Sequence, residues 1–182
     1  MKKFLSFSLA SLLLIACKSN TENTMSTLTL THEWDKTFPK SELVNHCKVT
    51  FHNRYGIELA ADMYVPKDAD GKLPAIAVSG PFGAVKEQSS GLYAQHMAER
   101  GFVTVAFDPS FTGESGGEPR RMASPDINTE DFLAAVDFLS NCDLVDPERI
   151  GIIGICGFGG MAVNAAASTR ASRRRWHRPC TT

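Results

Sequence analysis

Residues 146–160 read DPERIGIIGICGFGG, and that order of residue types decides the fold. Residues 149–155 (RIGIIGI) are a short run of isoleucine and glycine behind a proline-containing turn, as expected of a strand buried on both faces. Residues 157–168 are rich in alanine and read as the helix that follows. Between them lies a glycine-dense turn. A side chain held at a tight strand-to-helix turn needs small neighbours, because two backbones approach each other there. Gly154, Gly157, Gly159 and Gly160 supply that room. Cys156 would stand where the helix begins, and the unpaired amides and field of a helix start favour negative charge on its sulfur. The Gly157 amide would face an oxyanion developing beside that sulfur. Two other readings share the pattern: a small buried cysteine and a phosphate cradle. Against the cradle, the chain has no GxxxxGK[ST] motif and no lysine near the turn. The dinucleotide pattern GxGxxG fits only in forced registers, and the turn follows the third central strand rather than the first.

Outward from this turn, two more buried strands are legible, residues 73–79 (LPAIAVS) and 102–108 (FVTVAFD). The first runs into Gly80-Pro81-Phe82-Gly83, a loop able to present amides beside the nucleophile. Pro81 has no N–H, so Phe82 or Gly83 must donate; an ordinary Gly-Pro turn is the equal alternative. Residues 89–100 place Leu92, Tyr93, His96 and Met97 at helical spacing, with Gly101 as the cap. Residues 109–125 read as loop. A helix capped by Asn128 or Thr129 then runs to Leu139, with Phe132, Ala135, Val136 and Leu139 in one stripe. Residues 143–147 read as a turn, and Asp108, ending its strand, as a structural acceptor. Residues 47–53 and 57–65 suit a hairpin at a sheet edge. The sum is an α/β fold: an antiparallel lead-in, then parallel strands with helices on both faces.

The chain has 182 residues, 43% hydrophobic and 21% charged, which excludes disordered, collagen-like and coiled-coil classes. Residues 17–169 hold 12 basic against 20 acidic side chains, a net of −8. Such a body is a poor partner for a phosphate backbone, so nucleic acid is excluded. Lys2 and Lys3 followed by an apolar run to Ala16 form a leader shorter than the ~20 residues that span a bilayer. Residues 1–16 are expected to be a signal peptide and 17–30 a polar tether. Residues 31–169 are the domain, and 170–182 a basic tail foreign to the fold. The sequence Leu14-Ile15-Ala16-Cys17 resembles a bacterial lipoprotein signal, which implies lipidation at Cys17. With Lys18 rather than aspartate next to it, the resemblance implies the outer membrane, facing the periplasm. The spacing of Cys47, Cys142, Cys156 and Cys180 is neither a metal pair nor a dense disulfide framework, and no cofactor or metal site is expected.

Three motifs in this order resemble the α/β-hydrolase family, nearest to its dienelactone-hydrolase-like and X-Pro dipeptidyl-peptidase-like bacterial members. They are VSGPFG with the following VKEQ, FDPSFTGESGGEPR at residues 107–120, and DPERIGIIGICGFGG. The resemblance implies that Cys156 is the nucleophile, that Gly157 and Phe82 give the oxyanion amides, and that the substrate is a small ester or peptide. Phe158 departs from the family, which commonly has glycine there. The family also places a triad acid and histidine after the nucleophile. Here no acid follows Glu148, and the one later histidine is His177, within a segment holding five arginines between Arg170 and Arg178. The expectation is of a hydrolase lineage cut short after the elbow, its C-terminal strands missing and this chain inactive or poorly folded. The alternative is a non-catalytic, membrane-anchored binding lipoprotein.

Overall fold

The apolar runs become strands because each can bury both faces, and five of them align in one mixed sheet. In the computed structural model, which describes residues 28–176 (side chains through Thr169), these are β1 (Val44–His52), β2 (Glu58–Pro66), β3 (Leu73–Ser79), β4 (Val103–Phe107) and β5 (Val145–Gly154). The order across the sheet is β1-β2-β4-β3-β5. β1, β2 and β4 pair antiparallel in succession, and β3 runs parallel to both β4 and β5. Among the described residues β5 is paired only on its β3 flank, and Ile150, Ile152 and Ile153 are half-buried. The signal segment, Cys17, most of the tether and His177 lie outside the described residues.

Side chains on a strand alternate between faces, and the two faces of this sheet carry different cores. Ala75, Ala77, Met63, Val105 and Phe107 face α2 (Pro125–Ser140) and α3 (Phe158–Trp176). Ile76, Val78, Tyr64 and Ala106 face α1 (Ser89–Ala98). Helices therefore cover both faces, as expected. An aromatic file crosses the first core. The Phe107 and Phe132 rings are 5.1 Å apart, Phe132 and Phe158 6.2 Å, and Phe158 and Phe82 5.0 Å. It runs from the middle of the sheet to the turn after β5.

Several boundaries differ from the sequence reading. α2 starts near Pro125, a turn before the expected cap, because proline fits the first helical position, where no N–H is needed. Asn128 is thus inside the helix. Its Oδ1 accepts the Ser124 amide and its Nδ2 donates to the buried Asp131. β5 begins at Val145, within the expected turn: Val145 pairs with Leu73, after which the register shifts. The Asp146 carboxylate holds that irregularity by accepting from the Glu148 amide and the Arg149 guanidinium. β1 starts earlier, at Val44, and α3 continues to Trp176.

β5 and α3 pack so closely that one glycine is obligatory between them. A Cβ on Gly154 would overlap the Phe158 carbonyl and sit 2.7 Å from Ala162 Cβ. A Cβ on Gly160 meets nothing within 4 Å. Gly154→Ala should therefore destabilise the fold by about 1–3 kcal/mol or more. Gly160→Ala, in the first turn of an ordinary helix, should stabilise it by up to about 1 kcal/mol. Thermal unfolding followed by circular dichroism checks both signs; equal effects would contradict this packing.

Candidate active site

At the C-terminal end of β5 the backbone reverses within three residues. The Ile155 amide donates to the Ser79 carbonyl (3.0 Å), Phe158 to Ile155 (3.2 Å) and Gly159 to Cys156 (3.0 Å). Cys156, at the apex, has φ +57°. A side-chain-bearing residue in the left-handed region costs of order 1–3 kcal/mol and persists only where its surroundings fix it. Its side chain is exposed, and among the described residues its Sγ makes no hydrogen bond. α3 begins two residues later. Of the four glycines expected to make room, Gly154 and Gly157 do so. Gly159 and Gly160 are not needed, because a Cβ on either meets no close neighbour.

The loop after β3 comes directly to this turn. Gly80 has φ +100°, and a Cβ there would lie 2.5 Å from the Ile155 carbonyl. The Phe82 ring lies over Gly157, where a Cβ would overlap it, and stands edge-on to Phe158. Cys156, Gly157 and Phe82 are thus together. The amides of Phe82 and Gly157 donate to no acceptor among the described residues. Phe158, the departure from the family pattern, is buried beneath Phe82 and joins it to the aromatic file. Its ring supports the loop.

What holds the loop in place is a buried cluster of charges that the sequence reading missed. Lys86, with no exposed side-chain surface, places its Nζ 2.9 Å from Asp108, 2.7 Å from Glu114 and 2.6 Å from Glu87. Asp108 also accepts the Lys86 amide and the Glu114 amide, so one carboxylate ties the β3 loop to the β4 loop. This confirms Asp108 as a structural acceptor. Lys48, on β1, pairs with Glu114 at 2.7 Å and Glu87 at 3.1 Å. Lys36, in the segment before β1, bridges Asp35 and Asp62, and His46 meets Asp62 at 2.7 Å. Carboxylate oxygens of Asp35, Glu87 and Glu114 lie within 4.8 Å of one another, a spacing that attracts a cation; Lys48 and Lys86 supply that charge. Burial alone would push the Lys86 ammonium down, but Asp108, Glu114 and Glu87 outweigh it and hold it well above its ordinary value. Burial would likewise raise Glu114, yet the Lys48 and Lys86 hydrogen bonds hold its carboxyl down at about 2.

A cleft of about 790 Å³ opens beside the elbow, within the range that encloses a small organic ligand. Phe82 and Phe158 form one wall, and Phe111, Met122 and Val85 extend the apolar lining. The motifs gave no sign of this cleft, which is built by the β3 and β4 loops and the start of α2. Two histidines that precede the elbow in the chain, His52 and His96, are exposed, and His96 pairs with Glu99.

Residues 55–175 match the family model of the X-Pro dipeptidyl-peptidases (S15 family). The chain is 72% identical over 150 residues to the uncharacterized protein PA2218 of Pseudomonas aeruginosa, covering 82% of this chain and 40% of that one. The crystal structure of that protein matches with a TM-score of 0.78 over 80% of this chain and 46% of the other. The thiohydrolase aneE of Aspergillus aculeatus is 33% identical over 133 residues, covering 73% of this chain and 41% of its own. Est1E from Butyrivibrio proteoclasticus, solved with ferulic acid bound, shares 26% identity. Its TM-score is 0.59, over 68% of this chain and 48% of that chain. The chain spans about two fifths of the length of the curated relatives it matches.

The ion cluster sets the acid response of the fold. Glu114 is at about 2 in the folded chain against 4.5 unfolded. As pH falls the unfolded chain takes up the proton first, so this contribution is complete above about 4.5 and lost by about 2. The melting temperature should fall across that window, and Glu114→Gln should start lower at neutral pH and vary less. Lys86→Met should cost about 3–5 kcal/mol, because it leaves Asp108 buried without its cation. Thermal melts across pH 2–7 test both; a parallel fall in Glu114→Gln would refute the assignment.

Proposed function

Because the chain belongs to the X-Pro dipeptidyl-peptidase (S15) family and has an α/β-hydrolase fold, we propose that it carries the nucleophile and oxyanion half of an acyl-transfer hydrolase site acting on ester, thioester or amide bonds. The observation that carries the reading is Cys156 itself: exposed, strained at φ +57°, and set between β5 and α3 against a second amide-bearing loop. Backbone strain of this kind concentrates where function requires it. The Cys156 sulfur, its proton lost to solvent, attacks the substrate carbonyl carbon and forms a C–S bond. The carbonyl electron pair moves onto oxygen, where the Gly157 and Phe82 amides receive it. Preorganised donors of this sort commonly lower a barrier by ~3–4 kcal/mol. Collapse restores the carbonyl and expels the alkoxide, thiolate or amine, which takes a proton from water. The product is an acyl thioester on Cys156. Its hydrolysis needs an activated water, and the proposal takes this deacylation as slower than the attack.

Relatives bearing the name thiohydrolase support reading the bond as an ester or thioester rather than a peptide. The leader sequence adds a second proposal: lipid anchoring at Cys17, on the periplasmic side of an outer membrane.

Incubation with p-nitrophenyl acetate should release a burst of about one p-nitrophenolate per chain and leave one acetyl group on the peptide containing Cys156 by mass spectrometry. Cys47 is the other free thiol among the described residues, and burial together with the Asp62 charge pushes it up to about 11. The burst should therefore vanish in Cys156→Ala and survive in Cys47→Ala. Acetylation elsewhere, or none, sinks the proposal.

A further inference from the structure

The cleft beside the elbow has a charge character opposite to that of the molecule. Residues 17–169 carry a net of −8, yet no acidic side chain lines the cleft, while Arg120 and Arg121 both do. The two arginines do different work. Arg120 is committed to structure: its guanidinium donates to the carbonyls of Ser115, Gly113 and Gly117 and so fixes the β4 loop. Arg121 is not. Its backbone is set at φ +61° with its amide bonded to the Phe111 carbonyl at 2.8 Å. Its side chain is exposed and makes no hydrogen bond or ion pair among the described residues. Its guanidinium has no partner among the described residues, carboxylate or carbonyl, and it borders the cavity.

We infer that the cleft receives an acyl chain bearing a carboxylate, with Arg121 as the residue that selects the negative charge. The apolar wall of Phe82, Phe111, Met122 and Phe158 suits the methylene part of such a chain. The guanidinium suits its terminus, because it forms paired hydrogen bonds to a carboxylate. Two positive charges and no negative one also disfavour an ammonium-bearing ligand, such as a free peptide N-terminus, in this part of the site. Which end of the ligand reacts follows from the proposed role of Cys156; the binding of the anion does not depend on it.

The test is equilibrium binding, by isothermal titration calorimetry on the full chain, of two matched ligands that contain no ester, thioester or amide bond. One is octanoic acid, which has a free carboxylate, and the other is neutral octan-1-ol. The acid should bind about tenfold more tightly, the factor expected of one charge-assisted contact, and added salt should weaken the acid alone. Arg121→Met should reduce the preference to less than about threefold, and Arg121→Lys should keep part of it. Arg149→Met, which removes an exposed arginine paired with Asp146 elsewhere, should leave it intact. Cys156→Ala should also leave it intact, so failure of the acyl-transfer reading would show separately. Equal affinity for the two ligands, no binding of either, or a preference that survives Arg121→Met overturns the inference.

Discussion

The position of the loop that faces Cys156 depends on one ammonium with nowhere to go. Lys86 is fully enclosed, and three carboxylates converge on it within 3 Å. Attraction at such distances amounts to a few kcal/mol per pair in a protein interior. Removing the same ions from water costs several kcal/mol each, so the net stabilisation of the assembled cluster is small. Its effect is on placement. Any displacement of the β3 loop relative to the β4 loop would separate Lys86 from Asp108 and leave buried charges unpaired, an outcome far costlier than the cluster is favourable. The loop that carries Phe82 therefore has one position. Lys48 and Lys36 continue the chain of charges onto β1 and the segment before it, so the N-terminal part of the domain is held by the same constraint.

A second constraint acts from below. The aromatic file from Phe107 through Phe132 and Phe158 to Phe82 is continuous packing, and packed interiors transmit displacement rather than absorb it. Phe158 also presses its carbonyl against Gly154, which locks the start of α3 to the end of β5. Cys156 lies between these fixed points and takes the left-handed conformation that remains. Strain at the apex is a consequence of rigidity on both sides. The charged cluster above and the aromatic file below act on the same loop, one by electrostatics and one by shape.

The parts of this arrangement that were legible in the sequence are local. Residues 73–79 and 102–108 are apolar on both faces over short lengths, which is enough to predict β3 and β4. The elbow was legible because steric crowding leaves glycine where backbones meet, though the pattern overstated the case: Gly159 and Gly160 are dispensable where Gly154 is not. The start of α2 was misplaced because Asn128 is a good cap by type, while Pro125, three residues earlier, already meets the requirement of a first turn. The ion cluster was hidden for a different reason. Lys48 and Glu114 are 66 residues apart, and Lys86 and Glu114 are 28 apart. A charge in a loop looks solvated until the fold shows what encloses it. VKEQ and the Asp108 turn were both noticed as motifs, but nothing in either names the other as its partner.

The identity of the proposed nucleophile fits what the described residues provide. A serine hydroxyl is un-ionised near neutral pH and needs a base in contact with it, whereas a free thiol is ionised to a few per cent and is intrinsically more nucleophilic. The described site offers two unoccupied amides and a helix start but no base bonded to Cys156. On the proposed mechanism such a site would stabilise the tetrahedral oxyanion, and a sulfur at the apex would depend less on a base in contact with it than an oxygen would. The slower deacylation bears on specificity. On the same mechanism an acyl group that stays attached would occupy the cleft far longer than a passing substrate, so the contacts lining that cleft, Arg121 among them, would act on the covalent species as well as on the encounter.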